Sequence, residues 1–272
     1  MSTTSFDPYA RRTATSARQY LYALNPLAKV AAFAPAMVLL VFVRDLLTPV
    51  VFLLLAVALL LTGARITGRL LLLLLALPVG MAVIGLSFSL WVDTALVDET
   101  TPVLQIGGWT LYSGALLVGA ATALRLGAIV ALALVGGLTT TGPDLVRASI
   151  QQLRVPYRIG YTALAAFRFV PRFGHELAVI HAAHRVRGHH GGRGPFARLA
   201  RGWGYIVPLL AGAIRHAERV ALAMDSRAFG AHPTRTERHL VPFRTRDTVF
   251  VVLGFAATAT ILLVCSPWHP PL

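Results

Sequence analysis

Lysine is almost missing from this chain. Of its 25 basic residues 24 are arginine, and the one lysine, Lys29, follows Asn25-Pro26-Leu27-Ala28. No Gly-x-x-x-x-Gly-Lys-Ser/Thr run exists, so the chain has no phosphate-cradling P-loop of its own. Cysteine is as scarce: the lone Cys265 excludes an intramolecular disulfide and any cysteine cluster for metal. Acidic residues number only 11, and no paired-carboxylate site or Gly-x-Ser-x-Gly nucleophile motif falls on an apolar face. His175-Glu176 opens like a zinc-protease motif, yet Val179 stands where the second histidine belongs. No residue is nominated as catalytic, and no metal site or cofactor is assigned to the chain.

What is present is apolar surface. The chain has 272 residues, 56% of them hydrophobic, with a mean hydropathy of +0.67. That is too apolar for a water-soluble domain of this length and indicates a membrane protein. The net charge of +14 is not distributed like a nucleic-acid footprint, so no nucleic-acid partner is expected. No cleavable leader is expected either, because Leu27–Val43 lacks a small-residue cleavage site and runs into another apolar stretch.

Five apolar stretches read as membrane helices: Leu27–Val43, Leu46–Thr62, Leu70–Val92, Tyr112–Leu138 and Thr248–Cys265. Pro35, Pro49 and Pro78 fall in or at the start of these runs, which membrane helices tolerate when neighbours satisfy the freed carbonyls. The arginines fix an orientation. Arg11, Arg12, Arg18 and Lys29 mark the amino-terminal side, Arg65 and Arg69 the second loop, and seventeen Arg the segment 139–246. Residues 93–111 hold Asp93, Asp98 and Glu99 with no Lys or Arg, and Trp91 and Trp109 flank them as interfacial anchors would. The positive-inside rule therefore predicts a cytoplasmic amino terminus, an external carboxyl terminus and a multi-pass protein of the cell membrane. The expected division is 1–26 as a cytoplasmic segment, 27–138 as four membrane helices, 139–246 as a cytoplasmic helical domain, and 247–272 as the last membrane helix and external end.

Residues 139–246 have their own helical pattern. Pro143-Asp144 reads as a helix start, with Asp144 near the positive end of the dipole. A short piece, Leu145–Leu153, ends before Pro156. Tyr157–Val186 reads as one helix of 30 residues, about 45 Å long at 1.5 Å per residue. Its apolar stripe is Ala166, Val170, Phe173, Leu177 and Ile180. Gly- and His-rich residues 188–195 break it. A second helix, Phe196–Arg227, carries Ile206, Leu209, Leu210, Ala213, Ala217, Val220, Ala221 and Met224 on one face. Pro171 and Pro208 should kink the two helices. The stripes pack on each other and on the membrane part, and their length leaves room for a partner protein.

Two further features stand out. Arg125 is the one charge near the centre of a span, where insertion costs at least about 2.5–3.5 kcal/mol. It should face the bundle or a cavity and reach carbonyls, unless the span extends further into the cytoplasm. His175, His181, His184, His189 and His190 fall within 16 residues. They read either as metal ligands or as a solvated polar face with a flexible His/Gly loop.

Several blocks, in this order and spacing over about 210 residues, resemble one family. They begin at Leu24-Asn25-Pro26-Leu27-Ala28-Lys29 and include Thr139-Thr140-Thr141-Gly142-Pro143-Asp144-Leu145 and Val155-Pro156-Tyr157. They continue through Arg168-Phe169-Val170-Pro171, His184-Arg185-Val186-Arg187-Gly188, Pro208-Leu209-Leu210 and Ala217-Glu218-Arg219. Ala221-Leu222-Ala223-Met224-Asp225-Ser226-Arg227-Ala228-Phe229 and Arg235-Thr236 complete them. The chain resembles the transmembrane T component of energy-coupling factor (ECF) transporters, the EcfT/CbiQ family.

That resemblance implies an all-α membrane protein of about five transmembrane helices, with two long crossed coupling helices and a short helix. It implies a non-catalytic scaffold of an ATP-driven importer of vitamins or other micronutrients. Its partners would be two cytoplasmic ATPase subunits, or one fused two-domain ATPase, and a small substrate-binding membrane S subunit. ATP would be bound by the ATPases. The docking motifs would be Val186-Arg187-Gly188 and Ser226-Arg227-Ala228, the latter with alanine where the family favours glycine. Arginine suits the task because its fork of five donors stays charged and binds carboxylates bidentately. A T subunit of a dedicated cobalt or nickel importer is the alternative within the fold. A metal-dependent membrane enzyme built on the histidines is the alternative outside it.

Overall fold

The computed structural model describes residues 19–43, 45–92, 102–106, 109–187 and 194–265. Among them, residues 142–241 form one unit, and 19–141 with 242–265 form the other. The second unit opens with a 3₁₀ turn, Tyr20–Ala23, followed by α1 (Pro26–Phe42), α2 (Leu47–Gly63) and α3 (Gly68–Trp91). A hairpin, β1 (Pro102–Ile106) and β2 (Trp109–Tyr112), leads into α4 (Ser113–Thr139). After the intervening unit, α8 (Thr245–Cys265) closes it. The other unit holds α5 (Gly142–Gln152), α6 (Tyr157–Val186) and α7 (Pro195–Asp225).

The architecture is that of an all-α membrane protein with a small hairpin added. The five apolar helices start and end within three residues of the expected limits. Three of them, α3, α4 and α8, are long and apolar enough to cross a membrane. Helices α1 and α2, at 17 residues each, are apolar but shorter, about 26 Å against a hydrocarbon core of about 30 Å. The outward row Leu72, Leu75, Val79, Val83 and Leu86 of α3 is exposed. In a protein with this hydropathy such a row is a lipid face.

Residues 93–111 read from sequence as an acidic loop, with no secondary structure assigned to it. Within it β1 and β2 pair antiparallel, with Ile106 opposite Trp109. Two β-prone runs, Pro102–Ile106 and Trp109–Tyr112, supply the paired strands. The charge pattern that located the loop carries no information on this. Arg44, Asp93, Asp98, Glu99 and the amino-terminal arginines lie outside the described residues.

The core of the membrane unit is built from small residues at crossings. Ala28, Ala32 and Ala36 of α1 are buried. A Cβ on Gly254 of α8 would lie 2.8 Å from the Ala32 Cβ, so these backbones touch. Phe33 and Phe250 meet edge to face at 5.8 Å beside that contact. Helix α3 approaches α4 the same way: a Cβ on Gly119 would strike Ser89 Oγ and the Gly85 carbonyl. Between membrane helices this close approach is the main source of association.

Polar groups lock the ends of these helices. Asn25 caps α1, its Oδ1 accepting from Leu27 N–H at 2.9 Å, with Pro26 in the first position. Lys29, 2% exposed, donates from Nζ to the Leu21 carbonyl at 3.1 Å. It also donates to the Thr139 carbonyl at 3.0 Å and to Thr139 Oγ1 at 3.1 Å. Asp247, 1% exposed, accepts from Asn25 N–H and Arg244 N–H, each at 2.7 Å. The Lys29→Met variant keeps the length of the side chain and orphans those buried oxygens. We predict a loss of roughly 1.5–3 kcal/mol, read as a lower melting temperature of the detergent-solubilised protein.

Candidate functional site

The site is built on α5, α6, α7 and the segment that follows α7. Helix α5 carries its own ion pair, Arg147 to Asp144 at 2.8 Å. Close packing joins it to α6, where a Cβ on Gly160 would collide with Ile150. Helices α6 and α7 lie antiparallel. His181 and His184 stand edge-on to Tyr205, at 4.3 and 5.2 Å between ring centroids. Midway, Phe169 meets His216 at 4.4 Å. Further along, Tyr161 and Arg168 of α6 share a cleft with Met224 and Arg227.

Antiparallel packing separates the two arginines. Arg187 caps the carboxyl end of α6, its N–H donating to Ala183 O at 3.1 Å. Arg227 sits near Tyr161, 26 residues back along α6, about 39 Å away at 1.5 Å per residue. The two ends differ. Val186 is 89% exposed, and both arginines are exposed, but only Arg227 borders a cleft of about 510 Å³. Gly188 lies outside the described residues.

The end of α7 shows what the third motif position does. Phe229 N–H donates to Met224 O at 3.0 Å, and Ala228 N–H donates to Asp225 O at 2.9 Å. These two bonds make a Schellman motif, which needs a left-handed residue at the first position past the helix. That residue is Ala228, with φ of 52°. Glycine takes this conformation without strain, and alanine does not. Alanine therefore keeps the turn that glycine would make and carries the strain of doing so.

The chain after the turn folds back on α5 and α6. Arg158 donates to Gly230 O at 2.7 Å, and Tyr157 donates to His232 O at 2.6 Å. Further on, Val241 N–H donates to Gln151 Oε1 at 2.8 Å, and Gln152 Nε2 donates to Val241 O at 2.9 Å. The Arg235 guanidinium lies 4.4 Å from the centre of the Tyr161 ring and 5.4 Å from that of Phe229. Tyr161 donates its hydroxyl proton to Glu237 at 3.0 Å. Burial, then the Glu237 carboxylate, raises the Tyr161 pKa above its ordinary value, and Arg235 and Arg147 oppose this. The cleft thus joins cationic groups to aromatic faces, a surface suited to an acidic partner segment. Tyr161 and Arg235 were not singled out for it from sequence. Tyr157 and Tyr161, one turn apart, were the available signal, but their partner segment is more than 70 residues away.

Other expectations come out differently. On α6 the side turned to α7 carries Phe169 and Phe173, while Ala166 and Val170 are exposed. Phe173, with the partly buried Leu177 and Ile180, belongs to the expected stripe, and aromatic edges against His216 and Tyr205 extend the contact beyond it. His181 and His184 pack on Tyr205, and His189 and His190 lie outside the described residues. Among the described residues no three His, Cys, Asp or Glu gather as a metal site. Pro171 and Pro208 lie inside α6 and α7, both exposed, and each removes one helical N–H. Arg125 lies apart from this unit, within α4.

His216 adds a titratable group to the helix pair. Its Nδ1 is buried without a hydrogen-bond partner. Burial, then Arg172 and Arg219, lowers its pKa below 6.5, against the raising effect of Glu176. The folded state therefore favours neutral imidazole. Its contribution is full above about pH 6.5 and is lost as pH falls through the depressed pKa. We predict that the melting temperature drops between pH 8 and pH 5.5, and that His216→Phe makes the drop smaller. We also predict that Ala228→Gly relieves roughly 1–2 kcal/mol of left-handed strain, read as slower amide exchange at the end of α7.

A family profile, CbiQ, described as cobalt transport protein, matches residues 17–238. The energy-coupling factor transporter transmembrane protein EcfT of Staphylococcus aureus is 27% identical over 176 residues, covering 62% of this chain and 66% of that protein. EcfT of Thermotoga maritima is 31% identical over 163 residues, 57% of this chain and 59% of the relative. EcfT of Exiguobacterium sibiricum is 26% identical over 242 residues, 86% and 90% of the two chains. An ABC transporter ATP-binding protein of Bifidobacterium longum is 28% identical over 180 residues, which make up 23% of its length. Thus the chain spans less than two thirds of several of these relatives, as the 66%, 23% and 59% figures show.

Proposed function

This chain belongs to the CbiQ family of cobalt transport proteins, and on that premise we propose that it is the transmembrane T subunit of an ECF-type importer. It is a membrane protein that transports in company. It performs no chemistry itself and couples ATP hydrolysis in cytoplasmic ATPases to movement of a small substrate-binding S subunit. The ATPases bind the ATP. The subunit is multi-pass, with its amino terminus in the cytoplasm of a bacterial cell. The S subunit selects the cargo, a vitamin or, in a dedicated system, cobalt or nickel.

One observation carries this reading. The two arginines stand at helix carboxyl ends about 39 Å apart on one antiparallel pair. That spacing suits two ATPase bodies side by side, one on each arginine, and is too great for one shallow groove. Each guanidinium also complements the negative end of its own helix, which holds it in place before docking. Arg187 acts as an exposed tip that enters a groove. Arg227 acts from the rim of a cleft, where Arg235, Tyr161 and Phe229 add a wall. The lack of a P-loop fits a subunit whose energy comes from other chains.

The test is co-purification. Arg187→Glu and Arg227→Glu each place a negative charge where an acidic partner group is expected, and loss of a docked charge pair costs about 2–5 kcal/mol. Each variant should retain less ATPase than the parent, and the double variant none. Unchanged ATPase content and uptake in both single variants would overturn the proposal.

A further inference from the structure

Arg125 stands in the middle of α4, 12 residues from Ser113 and 14 from Thr139. Those lengths are about 18 and 21 Å along the axis, so the residue lies near mid-bilayer when α4 crosses. Among the described residues of the five apolar helices, no other charge is so far from a helix end. Lys29 is in the first turn of α1, Arg69 at the start of α3, and Asp247 at the start of α8. The residue is partly buried, and its Nε is buried without any hydrogen-bond acceptor.

The chain offers it little. The carboxylate of Asp247 is taken by Asn25 and Arg244. Thr122, one turn away, gives its hydroxyl to Val118 O at 2.8 Å. Lipid headgroups begin about 15 Å from the midplane, further than a snorkelling stem reaches. A guanidinium has five donors, and unpaired donors in hydrocarbon are costly. By contrast the buried ammonium of Lys29 has an acceptor in each of three directions.

We infer that Arg125 pairs, in the assembled transporter, with a carboxylate on a membrane helix of a partner subunit. Charge complementarity sets the chemistry. A carboxylate accepts two guanidinium bonds in one plane and cancels the charge at the same depth. The partial exposure of Arg125 leaves it open to a helix arriving from outside α4. This rests on the T-subunit reading, under which the small S subunit is that partner. Arg125 would then be a specificity contact, admitting S subunits that carry an acid at mid-membrane depth.

Arg125→Leu separates this from an internal structural role by the signs of two effects. In the isolated, detergent-solubilised chain, removing an unpaired charge should leave the melting temperature unchanged or raised. In the complex, the same variant should hold the S subunit roughly 30-fold or more weakly, as expected for one broken buried charge pair. A lowered melting temperature would assign Arg125 an acceptor within its own chain and overturn the inference. So would wild-type S-subunit content. A charge swap adds an independent arm: Arg125→Glu is combined with Arg in place of each intramembrane acid of the S subunit in turn. One combination should restore assembly, and restoration by none overturns the proposal. ATPase content reports on the underlying reading separately, because Arg125→Leu leaves Arg187 and Arg227 intact.

Discussion

Two buried charges hold the membrane unit together, and neither is paired with the other. The ammonium of Lys29 is neutralised by oxygens at the carboxyl end of α4 and in the 3₁₀ turn. The carboxylate of Asp247 is neutralised by backbone N–H groups at the start of α8 and at Asn25. Each therefore sits at the helix end of opposite polarity, where the dipole favours it. An ion pair in this place would confine two desolvated side chains to one geometry. Helix ends do the same work while closing their own unsatisfied groups. The small-residue crossings at Ala32 with Gly254 and at Gly119 with Ser89 depend on this register. A helix shifted by one residue would bring a larger side chain into each contact.

The unit of α5, α6 and α7 relies on a different device. Its helices are joined by aromatic edges and by a return segment hydrogen-bonded to α5 and α6. Much apolar surface stays uncovered: Trp203, Val207, Leu210 and Ile214 of α7 are all more than half exposed. An apolar arc wider than one neighbour can cover is expected of a helix that works between other chains. Arg187 and Arg227 stand at the two ends of this helix pair, with uncovered apolar surface between them.

Most of the fold was legible because hydropathy and punctuation agree in a membrane protein. Pro26 after Asn25, Pro156 before Tyr157 and the glycines after Arg187 each mark a helix boundary in the chain itself. The limits of α6 could be read to the residue for that reason. The β1–β2 hairpin escaped because a charge argument locates a loop without folding it. The place of Phe169 on the α7 side of α6 escaped because its edge contact with His216 joins two helices, and a stripe read along one helix does not show it. At the site, both arginines could be found in sequence. Their separation comes from the antiparallel pairing of α6 with α7, and the cleft behind Arg227 from a segment that returns across more than 70 residues, so neither could be read along one helix.

The scarcity of lysine has a chemical consequence. The one side-chain amine, that of Lys29, is 2% exposed and fully occupied. Every other basic side chain is a guanidinium, which stays protonated across the physiological range. Amine-directed reagents thus find no exposed side-chain amine in the folded protein, whereas arginine-directed dicarbonyl reagents find many guanidinium groups. Helices α6 and α7 hold their charge in a form that lysine acetylation cannot erase.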